Sequence, residues 1–307
     1  MRVRAIVNPR AGLKAARAFQ AVEAGHGAWD PIEMKLTEGP GHARTLAREA
    51  AERGDGVVIA VGGDGTANEV AWGLLGTDTA MALVPAGSGN GLARTLGIPL
   101  DFKRALVALQ AGERRRMDVG FVNDLLFLNV AGAGLDADVA HAFHQQAKQG
   151  GRRGVLSYTR LCFQMLLSYR PNEWKAETDA GGFEGPALIV VVANGRQYGG
   201  GARVAPQARL DDGIMDLVVL EKAPLLEILW GARRAFIGDL EKLRPYRRQA
   251  ARRVVIEAGT PACFHRDGEP EAAVSRLVVR IEPRALAVVV PREWAQAPDG
   301  PFALAEP

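Results

Sequence analysis

The chain has 307 residues, of which 48% are hydrophobic and 24% charged, and its formal net charge is +3. That length allows two domains with ample cores, and that composition excludes a disordered or fibrous chain. Two cysteines, Cys162 and Cys263, exclude a disulfide framework and favour a reducing compartment, while no apolar run approaches the ~18 residues of a spanning helix and no signal-peptide core opens the chain.

Arg2–Val7 is predicted as the first strand, and Asn8-Pro9-Arg10-Ala11-Gly12 turns it into a helix over about Leu13–Ala24. Glu33–Thr37 is a second strand, followed by a helix over Gly41–Arg53 that closes at Gly54. The β-branched run Val57–Val61 leads into Gly62-Gly63-Asp64-Gly65-Thr66, with a helix expected from Ala67. Thr66 and Glu69 have the spacing of a capping box, which marks that helix start. Ala80–Val84 is another buried strand, ending at Pro85 and opening into Gly87-Ser88-Gly89-Asn90-Gly91 before a further helical run. Asp101 is placed to cap a helix ending near Gly112.

Alternating strand and helix predicts a parallel sheet with helices on both faces. Ligands of such sheets sit at the carboxyl ends of the strands. The loops at Asn8–Gly12, Thr37, Gly62–Thr66 and Gly87–Gly91 all leave that edge. Glycine lets the backbone approach a ligand, and free N–H groups at helix starts attract anions. Asp64, a carboxylate among glycines, suits a divalent cation beside phosphate or the role of a proton acceptor. Each loop alone is also readable as a tight turn that packs a helix on a sheet.

After Arg114-Arg115-Arg116 the texture changes. Met117–Val122, Leu125–Val130, Ala187–Ala193, Ile214–Leu220, Arg253–Glu257, Leu277–Ile281 and Ala285–Val290 read as strands with short turns, so a β-sandwich or barrel is expected from about residue 120. His141–Arg170 turns helical from about Gly154, either as a helix packed on the β domain or as a lid over an acyl groove. Arg209–Asp216 reads as a hairpin turn, because Asp-Gly is a strong hairpin signal. Leu225–Leu240 is amphipathic, and Arg233–Arg253 is rich in basic residues. That stretch is either a solvated face or a docking site for an anionic membrane. Sparse aromatics argue against nucleic acid as a partner. Asp267-Gly268-Glu269 lies in one more turn.

GGDGTANEV followed by PAGSGNGLAR resembles the diacylglycerol kinase catalytic-domain family, which includes bacterial lipid kinases and sphingosine kinases. NAD kinases and phosphofructokinases share strings like the first; the second, at this distance, points to lipid kinases. The resemblance implies a Rossmann-like α/β nucleotide domain over residues 1–120, with 288–307 returning to it, and a β-rich lipid-substrate domain over 121–287. It implies ATP as phosphate donor, held by Asn8, Pro9, Arg10 and Gly12 in a loop similar to NPxSG with Ala11 for Ser. Thr37, Gly62, Gly63, Asp64, Gly65, Thr66, Asn68, Glu69, Ser88 and Asn90 complete the implied nucleotide set.

Asp267 and Glu269 both match the family's DGE carboxylates, so the proton acceptor for the lipid hydroxyl stays open between Asp267 and Glu269. Asp64 is the third implied catalytic carboxylate. A structural Mg²⁺ is implied at the Asp212 side chain with the Arg209 and Ile214 carbonyls, an oxygen-only set suited to a hard cation. A membrane lipid would be the substrate, at the inner face of the membrane from the cytoplasm, and the reading allows a homodimer. Ser88 and Gly91 look more like the sphingosine and ceramide kinases. The rival readings are an NAD kinase-like phosphotransferase and a non-catalytic nucleotide- or lipid-binding regulator.

Overall fold

The computed structural model describes residues 1–11, 29, 31–148 and 155–303. Gly12, the expected Leu13–Ala24 helix, Gly154 and residues 304–307 lie outside them. The chain divides into two compact units. The first comprises Met1–Val119, Arg209–Asp212 and the chain from Pro283; the second comprises Gly120–Ala208 and Gly213–Glu282.

The first unit begins β1 (Val3–Val7), β2 (Ile32–Leu36), α1 (His42–Glu52), β3 (Val57–Gly62), α2 (Asp64–Leu74), β4 (Ala80–Pro85), α3 (Gly91–Thr95) and α4 (Phe102–Gln110). β2, β1, β3 and β4 lie side by side, all parallel, in that spatial order. Every residue of β1, β3 and β4 is buried. Helices cover both faces of such a sheet, which explains the unbroken apolar runs. Arg4 is the one charge on β1, and its guanidinium is held near Asp55 at 3.5 Å and near Glu33 and Glu49 at 3.7 Å. Truncating it would leave the buried Asp55 carboxylate short of a partner. At the start of α4 the Asp101 carboxylate accepts the Arg104 N–H at 3.0 Å, the cap expected of it.

The remaining elements are β5 (Glu113–Val122), β6 (Leu125–Phe127), β7 (Val130–Gly134), α5 (Leu135–Lys148), α6 (Val155–Ser168), β8 (Asn172–Thr178), β9 (Gly181–Ala193), β10 (Met215–Glu221), α7 (Leu225–Ile237), β11 (Tyr246–Ala251), β12 (Arg253–Arg266), β13 (Glu269–Val290) and α8 (Arg292–Ala295). In the second unit the strands run β11-β10-β9-β7-β12-β13, with β8 pairing to both β9 and β12, and all these pairings are antiparallel. The unit is the β-sandwich expected of it. Val190, Val192, Leu217 and Val219 enter one core with Trp174, Val254, Ile256 and Leu277. Val191, Ala193 and Val218 point the other way, into a second core with Leu240, Leu243 and Tyr246. Two-sided burial makes β9 and β10 read as continuous apolar runs rather than alternations.

The strands expected separately at Leu277–Ile281 and Ala285–Val290 are one continuous strand, β13, and two expectations at the loops also fail. The helix after the first glycine loop starts at Asp64, not Ala67, with Gly63 as its N-cap and no side chain capping it. Glu69 does not close a capping box with Thr66. Its carboxylate instead accepts the Gly41 N–H at 2.9 Å and the Ala43 N–H at 3.1 Å, at the start of α1. A carboxylate suits that helix terminus electrostatically.

The Asp212-Gly213 turn is the second failure: no strand precedes it, and β10 pairs instead with β9. Tertiary bonds fix the segment. The Asp118 N–H donates to the Leu210 carbonyl, the Leu210 N–H donates to the Pro301 carbonyl at 2.7 Å, and the Asp211 carboxylate accepts the Ala303 N–H at 2.9 Å. Gly213 still turns the chain, at φ 71°.

Candidate active site

The spatial order β2-β1-β3-β4 reverses direction between β1 and β3. In such sheets the carboxyl ends of the strands at a switch point are the favoured ligand position. The loop after β1 meets the loop after β3 there. The Asn8 N–H donates to the Val61 carbonyl at 3.0 Å, and Asn8 Nδ2 donates to Thr66 Oγ1 at 3.1 Å. Asn8 Oδ1 accepts the Arg10 N–H at 3.0 Å and shapes the short 3-10 turn Pro9–Ala11. Thr37, buried at the end of β2, is tied to the same edge by its N–H to the Val7 carbonyl at 2.9 Å.

The second glycine loop packs directly on the first. A Cβ on Gly87 would sit 2.6 Å from the Gly63 Cα and 2.9 Å from Asn90 Oδ1, so only glycine permits this approach. Asn90 adopts a left-handed conformation at φ 49° and locks the loop from within. Its Oδ1 accepts the Gly87 N–H at 3.0 Å, and its Nδ2 donates to the Gly87 carbonyl at 2.9 Å. Asp64 joins the loops: its Oδ1 accepts the Leu92 N–H at 3.2 Å. Asn68 is buried on α2, and the Ser88 side chain is exposed. The edge therefore presents main-chain groups of two abutting glycine loops, the hydroxyl-bearing residues Thr37, Thr66 and Ser88, and the Asp64 carboxylate. That donor set fits a polyphosphate with a divalent cation.

The Asp267-Gly268-Glu269 segment is a two-residue hairpin between β12 and β13, with Arg266 opposite Glu269. Asp267 at φ 50° and Gly268 at φ 85° are both left-handed, as this turn class requires. The two carboxylates differ sharply. That of Asp267 accepts backbone N–H groups from Leu128 at 2.7 Å, Asn129 at 2.8 Å and Val130 at 3.1 Å. Both of its oxygens are engaged, and it anchors the turn to the start of β7. Glu269 is exposed, and its carboxylate has no hydrogen-bond or ion-pair partner among the described residues. Asp267→Asn would turn an amide donor or a weaker acceptor toward those N–H groups. The loss of charge-assisted bonds is expected to cost about 2 kcal/mol or more, read as a lower denaturation midpoint; an unchanged midpoint would contradict the anchoring role.

A polar cluster that the sequence did not point to lies beneath this turn. His265 is buried, with Nε2 3.0 Å from Asp136 Oδ2, and its Nδ1 accepts the Gly268 N–H at 3.4 Å. The Tyr198 hydroxyl donates to the same Asp136 oxygen at 2.8 Å. Burial, reinforced by the Asp136 charge, pushes the Tyr198 hydroxyl well above its ordinary pKa, so it stays a donor. The backbone comes close here too: a Cβ on Gly132 would lie 2.6 Å from Asp136 Oδ2. Asp138, one turn into α5, is held above the usual carboxylate range by burial and then by Asp136. Asp136, Tyr198 and His265 lie on α5, on a loop and on β12, and their spacing carries no motif.

The basic stretch proves heterogeneous. Arg247 is paired with Glu221 at 2.8 Å and Arg248 with Asp216 at 2.9 Å, both on β11 against β10. In the expected metal set, Arg209 and Asp212 belong to the first unit and Ile214 to the second. Among the described residues no three His, Cys, Asp or Glu side chains cluster as a metal site. The Asp212 set uses one carboxylate and two carbonyls, so it is not of that clustered kind.

Two family descriptions match the chain: "Diacylglycerol kinase catalytic domain" over residues 2–122 and "YegS C-terminal NAD kinase beta sandwich-like domain" over residues 129–290. A diacylglycerol kinase of Bacillus subtilis is 32% identical over 303 residues, covering 97% of this chain and 99% of that protein. A probable YegS-like lipid kinase of Pseudomonas aeruginosa is 33% identical, covering 92% and 91%. Among solved structures, a putative diacylglycerol kinase from Bacillus anthracis superposes with a TM-score of 0.77 at 24% identity, covering 94% of this chain and 95% of that one. An NAD kinase from Archaeoglobus fulgidus in complex with ATP superposes with a TM-score of 0.52 at 12% identity, covering 95% of each, which shows likeness of fold alone.

Proposed function

This chain belongs to the bacterial diacylglycerol kinase and YegS-like lipid kinase family, and from that premise we propose that it transfers the γ-phosphoryl group of ATP to the hydroxyl of a membrane lipid. The observation that carries the mechanism is the contrast within one hairpin. Asp267 is consumed by three backbone N–H groups, whereas the Glu269 carboxylate stands exposed and unpartnered. Glu269 is therefore the proton acceptor and Asp267 the anchor that sets its backbone. A general base needs a free lone pair within reach of the hydroxyl proton.

In this reading the loops at Asn8–Arg10, Thr37, Gly62–Thr66 and Gly87–Asn90 hold the nucleotide, and Asn8 with Asn90 keeps them in shape. Asp64 provides the negative charge next to the phosphates. Mg²⁺ bound there would supply neutralisation of the phosphoryl oxygens as the bond to the leaving group lengthens. Glu69 acts one step back, by fixing the α1 start beside Thr37.

A second, structural cation is proposed at Asp212, with the Arg209 and Ile214 carbonyls. Ligand linkage gives its test without any turnover: Mg²⁺ should raise the melting temperature of the wild-type chain and raise that of Asp212→Ala less. Equal responses in the two proteins would remove the site.

The acceptor is tested with ATP labelled in its γ-phosphate, offered with diacylglycerol, phosphatidylglycerol, sphingosine or ceramide in mixed micelles, and with NAD in solution. Label should enter a lipid. Label entering NAD would favour the NAD kinase-like reading, for which the β-sandwich description offers some support. Nucleotide binding without transfer to any acceptor would favour a regulator. The site of action on this account is the cytoplasmic side, where the chain meets its lipid as a peripheral protein. Among the described residues no helix is long and apolar enough to cross a membrane.

A further inference from the structure

Helix α7 is amphipathic in an inverted sense. One side packs on the second unit: Gly231 is buried against Leu243, the Ala235 carbonyl accepts the Arg203 N–H at 2.8 Å, and Ala235 packs on a core cluster. The opposite side is apolar but faces outward. Leu225, Leu226, Trp230, Phe236 and Ile237 are five of the twelve large apolar side chains exposed among the described residues. Leu226 is 81% exposed and Ile237 61%. Residues 226, 230, 233 and 237 are spaced to share one stripe of the helix. Single exposed apolar residues need no explanation, but a stripe of them does.

Charge narrows what could cover the stripe. Arg233 is exposed on it, Lys222 is exposed just before the helix, and Arg244 is exposed just after. None of the three has an ion-pair partner among the described residues. Arg234 stacks over Trp230, its guanidinium carbon 5.5 Å from the ring centroid. Lys242, by contrast, is held by Asp239 at 2.8 Å, and Arg247 and Arg248 are paired within the sheet. Glu227 is the only carboxylate on the helix. Exposed Leu, Trp, Phe and Ile side chains, with unpaired cations on the stripe and at both ends of the helix, match what a bilayer surface offers: acyl chains, an interface and anionic headgroups. A two-fold pairing with a second copy would set Arg233 and its neighbours against their own kind.

We propose that the exposed face of α7 is the surface by which this protein docks on an anionic lipid bilayer. The proposal rests on the lipid kinase reading for its biological sense but not for its physics. Within the stretch Leu225–Arg253 it places the contact on α7 and the cations flanking it, and leaves out Arg247 and Arg248, which are paired within the sheet.

The test uses the full chain with large vesicles of phosphatidylcholine alone, or of phosphatidylcholine with phosphatidylglycerol, in co-sedimentation. Wild type should bind the anionic vesicles about tenfold or more tightly than the neutral ones, and added salt should release it. The double variant Leu226→Ser/Ile237→Ser should weaken anionic binding at least about tenfold. Arg233→Glu, a change at an exposed side chain, should weaken it severalfold. Circular dichroism should show the variants folded. With a short-chain lipid dispersed below its micelle threshold, both variants should turn over like wild type, while their apparent KM on vesicles rises. Undiminished vesicle binding by both variants would overturn the proposal even if lipid phosphorylation is found. So would a dimer in sedimentation equilibrium that the double variant dissociates while vesicle binding persists. Vesicle binding that depends on α7, in a chain that phosphorylates no lipid, would sustain the docking surface and overturn the kinase reading instead.

Discussion

Replacing Glu269 with Gln should lower kcat by about 10²- to 10⁴-fold, the range a positioned general base contributes, while the KM for ATP and the melting temperature stay near wild type. The amide keeps the size of the side chain and removes its ability to take a proton. Stability should hold because the side chain is exposed and has no partner among the described residues. Asp267→Asn should behave the other way round, losing stability first, because its carboxylate holds three backbone N–H groups. Steady-state kinetics on one lipid substrate, with thermal melts of the same preparations, separates the two. Wild-type kcat in Glu269→Gln would remove it as proton acceptor.

Asp64→Asn should cost about 10²- to 10³-fold in kcat, comparable to losing one preorganised charge-stabilising group. The fold should survive, since the amide oxygen of Asn can still accept the Leu92 N–H that now lies 3.2 Å from Asp64 Oδ1. What disappears is the negative charge at the start of α2, at the edge where the two glycine loops abut. The variant is best assayed at saturating magnesium, so that weaker metal affinity alone cannot account for the loss. Full turnover under that condition would reduce Asp64 to a turn residue.

The parallel sheet and its glycine loops were legible because strand runs, glycine clusters and helix starts are local and short. The abutment of Gly63 on Gly87 was not, although both glycines stood out, because spacing says nothing about which loops touch. Glu69 misled for the same reason: its spacing from Thr66 suited a local cap, and its actual partners, Gly41 and Ala43, belong to another helix. At Asp212-Gly213 the turn signal was real, but bonds from Asp118, Pro301 and Ala303 placed it outside any hairpin. Asp267-Gly268 carries the same dipeptide and does form one, because strand partners exist on both sides.

Strand β11 was hidden by Arg247 and Arg248, adjacent exposed residues on opposite faces of a strand buried at its ends by Tyr246 and Ala251. The Asp136, Tyr198 and His265 cluster was invisible for a deeper reason. Its members are far apart in the chain, and each alone is an ordinary polar residue. The choice between Asp267 and Glu269 also needed coordinates, since only hydrogen bonding distinguishes an engaged carboxylate from a free one.

The most direct measurement is mass spectrometry of lipid recovered from micelles incubated with the wild-type chain, Mg²⁺ and ATP, beside the same incubation with Glu269→Gln. The account predicts a lipid heavier by one phosphoryl group, matched mole for mole by ADP, in the wild-type sample and almost none with the variant. ADP formed without any phosphorylated lipid, or equal lipid product from both proteins, would contradict it.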